Sequence, residues 1–313
     1  MTKTSIFICL GISLFGLLWV LGNSYHPFQF NRTRIQNIYD NAENLEAIAA
    51  GSSQAGGINF HHLGMRGYGC WRGGSDMFET KYQIESVLSR APHLNMVFYS
   101  VSYTSPFLDN ALDFIPDRSK LRIRHYASFG SYRLINGDLK NFILGKCSAL
   151  IRRDHWKPVI WPGARKKNTA TTDQFIFKDE KSLTPGEIEK HALRRTKEAL
   201  KLVYQSRKLK ADLKEGIYRQ TGELIRKLKA RGVRIIFFTS PYHHRYTENF
   251  DRKVVEEMRT FMARISTDFQ VPYLDFSEHE RFRITEQCFL NSDHLNNHGR
   301  RLLAEEIKKR IKL

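Results

Sequence analysis

Proline and cysteine are scarce in this chain, with 9 prolines and 4 cysteines in 313 residues. No two cysteines form a C-x-x-C pair, which argues against a zinc ribbon or a thioredoxin-like redox site. No internal repeat is present, so a solenoid is not expected. Hydrophobic residues make up 41%, aromatics 12% and charged residues 26%. Those proportions exclude a disordered chain, a collagen-like chain and a small disulfide scaffold. A mean hydropathy of −0.45 excludes a multi-span membrane protein. What remains is one large domain or two ordinary ones, with a sizeable core in either case.

Acidic charge is also in short supply. There are 32 Asp+Glu against 50 Lys+Arg, a formal net charge of +18. Residues 151–232 hold 22 Lys+Arg and 10 Asp+Glu, so +12 of the excess lies in one stretch. Such a stretch forms solvated helix faces, or meets anionic lipid headgroups or an acidic glycan. Nucleic acid is not the expected partner, because no nucleic-acid motif occurs.

Long apolar runs are absent except for one. Ile6 to Leu21 is sixteen residues without a charge, preceded by Lys3. As a helix it spans about 24 Å, slightly short of a bilayer core. Two readings stand: a signal peptide cleaved after Gly22, or an uncleaved signal anchor covering 1–22. Both place the rest of the chain outside the cytoplasm, and the anchor, the favoured reading, holds it in the cytoplasmic membrane facing the periplasm or the cell exterior. Residues 23–44 then read as a linker. Beyond the apolar run, Cys70, Cys147 and Cys288 are an odd set for an oxidising compartment, so one bridge within the chain is the maximum.

From residue 45 the pattern changes. Apolar, β-rich segments lie near 45–50, 95–101, 233–239 and 271–276, and helical spacing fills the intervals, as in Phe78–Leu88 and Val254–Ile265. This is the α/β signature, with a mostly parallel sheet covered by helices. Ile58–Leu63 reads as a second short strand. A glycine cluster follows it: Gly64, Gly67, Gly69, Gly73 and Gly74. Leu121–Leu183, with Trp156, Pro158, Trp161 and Pro162, reads as irregular. Thr184-Pro185 then opens a long basic helical stretch, so the inserted basic region spans about 121–232. His298–Leu313 reads as a C-terminal amphipathic helix.

Two segments carry chemistry. Gly51-Ser52-Ser53 follows the first strand directly, and a serine on a strand-to-helix turn projects its hydroxyl clear of the sheet edge. Asn291-Ser292-Asp293-His294-Leu295-Asn296-Asn297-His298-Gly299 precedes the last helix. A histidine there that reaches the same edge is a base for that serine, provided a carboxylate or amide holds its ring. His294 and His298 have H-x-x-x-H spacing, but Leu295 stands where the zinc-protease motif needs Glu, so no metal is expected. Gly67-x-Gly69-x-x-x-Gly73 is one residue off the dinucleotide fingerprint and contains bulky Trp71 and Arg72, so no nucleotide cofactor is expected either. His61-His62 and His243-His244 are expected at strand ends, with substrate contact as one use for them.

Together, strand-Gly-x-Ser and the late block Asn291-Ser-Asp-His294-Leu-Asn-x-x-Gly299 resemble the SGNH/GDSL hydrolase superfamily, in its envelope-associated branch. Ser240-Pro241, closing a strand, is similar to that branch as well. The resemblance spans roughly Leu45 to Leu313, and only the two blocks match well. It implies a flavodoxin-like three-layer α/β sandwich over 45–313. It further implies a serine esterase or O-acyltransferase acting on ester-linked acyl groups of an envelope glycan or acyl-sugar, without a cofactor. Ser53 is then the nucleophile and His294 the base, with Asn291 or Asp293 orienting the ring. The backbone N–H of Ser53 and of Gly67 (or Gly64) bind the oxyanion. The sequence departs from the family twice. Asn291 replaces the triad aspartate three residues before the histidine. Val101-Ser102-Tyr103-Thr104 lacks the oxyanion Asn, leaving Ser102 or Tyr103 as the donor. These departures keep a second expectation open: a non-catalytic, membrane-tethered member of the same fold that binds glycan or an assembly partner.

Overall fold

In the computed structural model the described residues are 3–24, 29–112, 116–129, 134–146, 182–283 and 285–311. Cys147 and the Trp156–Pro162 segment lie outside them.

The order of elements begins with helices α1 (Lys3–Ser24) and α2 (Gln29–Asp40). Strand β1 (Ala47–Gly51), helix α3 (Phe60–Leu63), strand β2 (Gly67–Trp71), helix α4 (Met77–Leu88) and strand β3 (Met96–Ser100) follow. Helices α5 (Pro116–Phe129), α6 (Leu139–Lys146), α7 (Pro185–Leu209) and α8 (Leu213–Ala230) lead to strand β4 (Arg234–Thr239). The chain continues through α9 (His244–Glu248), α10 (Arg252–Phe269), β5 (Tyr273–Asp275) and α11 (Glu280–Arg283). A hairpin, β6 (Phe289–Asn291) and β7 (His294–Leu295), precedes α12 (Asn297–Arg310).

The fold is α/β, built on a five-stranded, all-parallel sheet in the order β2-β1-β3-β4-β5. The central strands are apolar on both faces: Ala47–Ala50 of β1 and Val97 and Phe98 of β3 are fully buried, as a sheet covered on both sides requires. Helix α4 begins with a reciprocal cap in which Asp76 accepts the Glu79 N–H at 2.8 Å and Glu79 accepts the Asp76 N–H at 3.3 Å. Helix α7 starts at Pro185, with the Glu187 carboxylate accepting the Thr184 N–H at 2.9 Å.

Four of the five sheet strands lie close to their expected places, but the second does not. Ile58–Leu63 is not a strand. Phe60–Leu63 is a single helical turn capped by Asn59, whose side chain accepts the His62 N–H at 3.2 Å, and closed by Gly64 at φ 74°. The strand runs through the glycine cluster instead, as Gly67–Trp71. The glycines obscured its pattern, and they are tolerated because aromatic rings cover them: a Cβ at Gly67 would sit 2.2 Å from the Phe60 ring. The 23–44 stretch is also not a plain linker, because α2 occupies most of it and Ile35 and Ile38 are buried.

The chain divides into two compact units, residues 1–37 with 110–172 and residues 38–109 with 173–313. In the first, α5 and α6 pack together, with Tyr126 edge-on to Phe142 at 5.2 Å and buried Arg122 3.8 Å from Asp138. The second contains the whole sheet. It also contains α7 and α8, so the helical half of the basic stretch is built into the sheet unit: α8 packs on α4 and α10, and α7 on α9. In α1, side chains are described for residues 5–14, 16 and 17. Among the described residues no helix is long and apolar enough to cross a membrane. Cys70 and Cys288 are both buried, and burial pushes the Cys288 thiol up to about 11.

Candidate active site

The site forms at the carboxyl ends of the parallel strands, where open α/β sheets place their ligands. Strand β1 ends at Gly51, which adopts φ 131°. A Cβ there would lie 2.7 Å from the Ser100 carbonyl oxygen of β3, so only glycine allows the chain to turn off the sheet at this point. Ser53 follows as the first residue of a short 3-10 turn, Ser53–Gly57. Gly56 seats that turn on the sheet, because a Cβ on it would meet the Trp71 ring at 2.9 Å. The neighbouring Ser52 hydroxyl bonds the Gln54 side chain.

The second half of the site is the β6–β7 hairpin. Its register pairs Asn291 with His294 across the two-residue turn Ser292-Asp293. The D/N-x-x-His spacing therefore has a geometric reason: the ends of a tight hairpin turn face each other. Asn291 Oδ1 accepts the Asp293 N–H at 3.1 Å and lies 3.0 Å from His294 Nδ1. Asp293 Oδ1 lies 3.2 Å from the same nitrogen. On the far side of the ring, His294 Nε2 is 2.7 Å from Ser53 Oγ. With Nδ1 protonated and facing two oxygens, the Nε2 lone pair is left to accept the serine hydroxyl.

Asp293 is fully buried. Its carboxyl stands well below the usual range: burial pushes it up, but the His294 ring and the Arg195 guanidinium together push it down further. The Arg195 Nη2 to Asp293 Oδ2 distance is 3.0 Å. One turn earlier on α7, His191 Nδ1 lies 2.8 Å from the hydroxyl of buried Ser292. The His191 ring stands below its ordinary value, chiefly through burial; Asp293 opposes the shift and Arg195 adds to it. The Ser292 carbonyl accepts the His243 N–H at 3.1 Å. The His243 ring is edge-on to Phe289 at 5.4 Å and lies 4.3 Å from that of His244.

The structure thus brings Ser53, His294, Asn291 and Asp293 together. Gly67 is not with them. In the parallel register Gly67 pairs with Ala47 at the start of β1, while Trp71 pairs with Gly51 at its end. Gly67 therefore sits four residues back along the strand, about 13 Å from the site edge, and Gly64 precedes it. The glycines that follow β2 at the correct edge are Gly73 and Gly74. The misplacement follows directly from starting the second strand at Ile58 rather than at Gly67, nine residues too early. Ser102 does share the edge, two residues past Ser100, but its backbone N–H donates to Ser105 Oγ at 2.8 Å. Its hydroxyl is 3.1 Å from those of both Thr104 and Ser105. Tyr103 points into the core, edge-on to Tyr242 and Phe250. Of the paired histidines, His243 borders the hairpin, whereas His61 and His62 lie on α3. Arg195 and His191 carried no signal in the sequence beyond a basic helix face with an i, i+4 spacing.

No protein-family model matches the chain, and no curated protein is detectably similar to it in sequence.

Proposed function

We propose that this chain is a serine esterase or O-acyltransferase of the SGNH type, acting on ester-linked acyl groups of an envelope polysaccharide. The observation that carries the reading is the 2.7 Å approach of His294 Nε2 to Ser53 Oγ across 241 residues of sequence. The strand order 2-1-3-4-5 supports a flavodoxin-like three-layer arrangement for the sheet unit.

The chemistry is acyl transfer in two halves. Ser53 Oγ attacks the acyl carbonyl carbon as its proton passes to His294 Nε2. Negative charge collects on the carbonyl oxygen, where the backbone N–H of Ser53 and of Gly73 are the donors we assign. The tetrahedral intermediate collapses, the C–O bond to the leaving alcohol breaks, and His294 returns the proton to that alcohol. Water or a sugar hydroxyl then gives its proton to His294, attacks the acyl-serine and releases the acyl group, restoring the Ser53 hydroxyl. Asn291 and Asp293 hold the Nδ1–H tautomer throughout, and Asp293 supplies the negative charge that favours the transient imidazolium.

An extracytoplasmic, membrane-tethered location is part of the proposal. The chargeless run 6–21 supports it, as do the exposed apolar side chains of α1, among them Ile6, Phe7, Ile8, Leu10, Ile12, Leu14 and Leu17.

A second reading, a non-catalytic glycan-binding member of the fold, is favoured by one observation: the Ser102 N–H on the β3 edge is already bonded to Ser105, leaving that edge a donor short. A fluorophosphonate probe separates the two. Covalent labelling of wild type that disappears in Ser53→Ala and in His294→Ala is the expected result. Labelling that survives loss of Ser53, or wild type that binds glycan and never labels, would sink the esterase reading.

A further inference from the structure

The hairpin turn that carries the candidate base is tied to α7 at two consecutive residues. Ser292 bonds His191 and Asp293 bonds Arg195, and the two α7 residues are one helical turn apart on the same face. Asp293 is fully buried while the Arg195 side chain is 40% exposed, so the arginine reaches in from the surface to meet a carboxylate with no access to water. A buried carboxylate without a cation is costly, and with one it is fixed in direction. Here the fixed direction is the useful one, because Oδ2 is occupied by Arg195 and Oδ1 is left facing His294 Nδ1.

We infer that Arg195 is a positioning residue, which pins Asp293 so that this carboxylate serves as the charged partner of His294 in place of the one missing at Asn291. Asn291 keeps an orienting bond to the ring but has no charge to offer the imidazolium. Helix α7 thereby becomes part of the catalytic apparatus, although it touches no reacting atom. The inference builds on the Ser53–His294 reading for its consequence on rate, while the pinning can be measured without turnover.

The groups facing Asp293 are few. From α7 they are Arg195 and His191, with Arg194 and Glu198 beside them. From α9 it is Tyr246, from the loop after β4 Tyr242, and from the hairpin His294 itself. Both tyrosines are held neutral, since burial raises them far above neutral pH. Arg195 is therefore the cation that balances Asp293 when His294 is neutral.

The test follows the His294 ring by NMR titration in full-length protein, alongside the rate of Ser53 labelling by the fluorophosphonate. Arg195→Gln is too short to hold Oδ2 in the same direction and removes the charge. With the carboxylate released from Nδ1, the ring midpoint is expected to fall by about half a pH unit, roughly a threefold change in its protonation constant. Labelling is expected to slow by between about tenfold and 10²-fold through loss of alignment. Arg195→Lys should recover part of both effects. In an Asp293→Asn background, Arg195→Gln should add nothing to either measurement. An unchanged midpoint in Arg195→Gln, or an equal cost in both backgrounds, would overturn the assignment. If Ser53 never labels in wild type, the esterase reading fails, and the ring titration still decides whether Arg195 acts through Asp293.

Discussion

Gly51 turns off the sheet directly against Ser100, so closely that a methyl group on its α-carbon would lie 2.7 Å from the Ser100 carbonyl oxygen. This contact sets where the chain leaves β1 and hence where the Ser53 hydroxyl emerges. Gly51→Ala adds both that clash and a φ of 131°, a conformation that side chains rarely adopt. We expect a loss of about 2 kcal/mol or more in unfolding free energy, read from urea melts, together with loss of Ser53 labelling.

The two oxygens at His294 Nδ1 are not equivalent. Asp293→Asn removes the charge and leaves the shape, and should slow Ser53 labelling by about 10²- to 10⁴-fold. Asn291→Ala removes a neutral acceptor and should cost about tenfold or less. Rates measured across pH in both variants check the order, and equal losses would count against Asp293 as the charged partner.

Acid should destabilise the protein through Asp293. Its folded-state carboxyl stands below the unfolded value, so its contribution is fully present above about pH 4. That contribution is lost as pH falls from there towards the depressed folded value. A thermal melting temperature that drops below about pH 4 in wild type, and drops less in Asp293→Asn, is the expected outcome.

Alkali should act through buried phenols. Tyr99, Tyr103, Tyr242, Tyr246 and Tyr273 all stand above their ordinary value, each chiefly through burial. A raised folded value means stability is intact below about pH 10 and falls as pH rises beyond it. Ultraviolet titration should show these phenols ionising together with unfolding, later than the exposed tyrosines.

Both cysteines described in the sheet unit are buried, Cys70 and Cys288. Under native conditions neither should react with a thiol reagent, and both should react after unfolding. Rapid native labelling at Cys288, whose thiol burial pushes up to about 11, would contradict the packing beneath the hairpin.

Local pattern was enough to place most of this sheet. Runs such as Asn95–Val101 and Val233–Thr239 are apolar, β-branched or aromatic, and bounded by turn residues, so burial on both faces is written into them one strand at a time. The hairpin is not legible in the sequence, where 291–299 is only a block before the last helix; the structure shows the tight turn that makes Asn291 and His294 face each other. Gly67–Trp71 escaped that reading because its glycines break the apolar pattern, and only the folded backbone brings the Phe60 and Trp71 rings over Gly67 and Gly69. The same limit hid Arg195 and His191. A cation on a helix face has the same local sequence whether it meets solvent or a buried carboxylate 98 residues away. Residue type and local spacing determined which groups were available for chemistry. The strand register and the docking of α7 decided which of them meet, because those depend on burial summed over the whole chain.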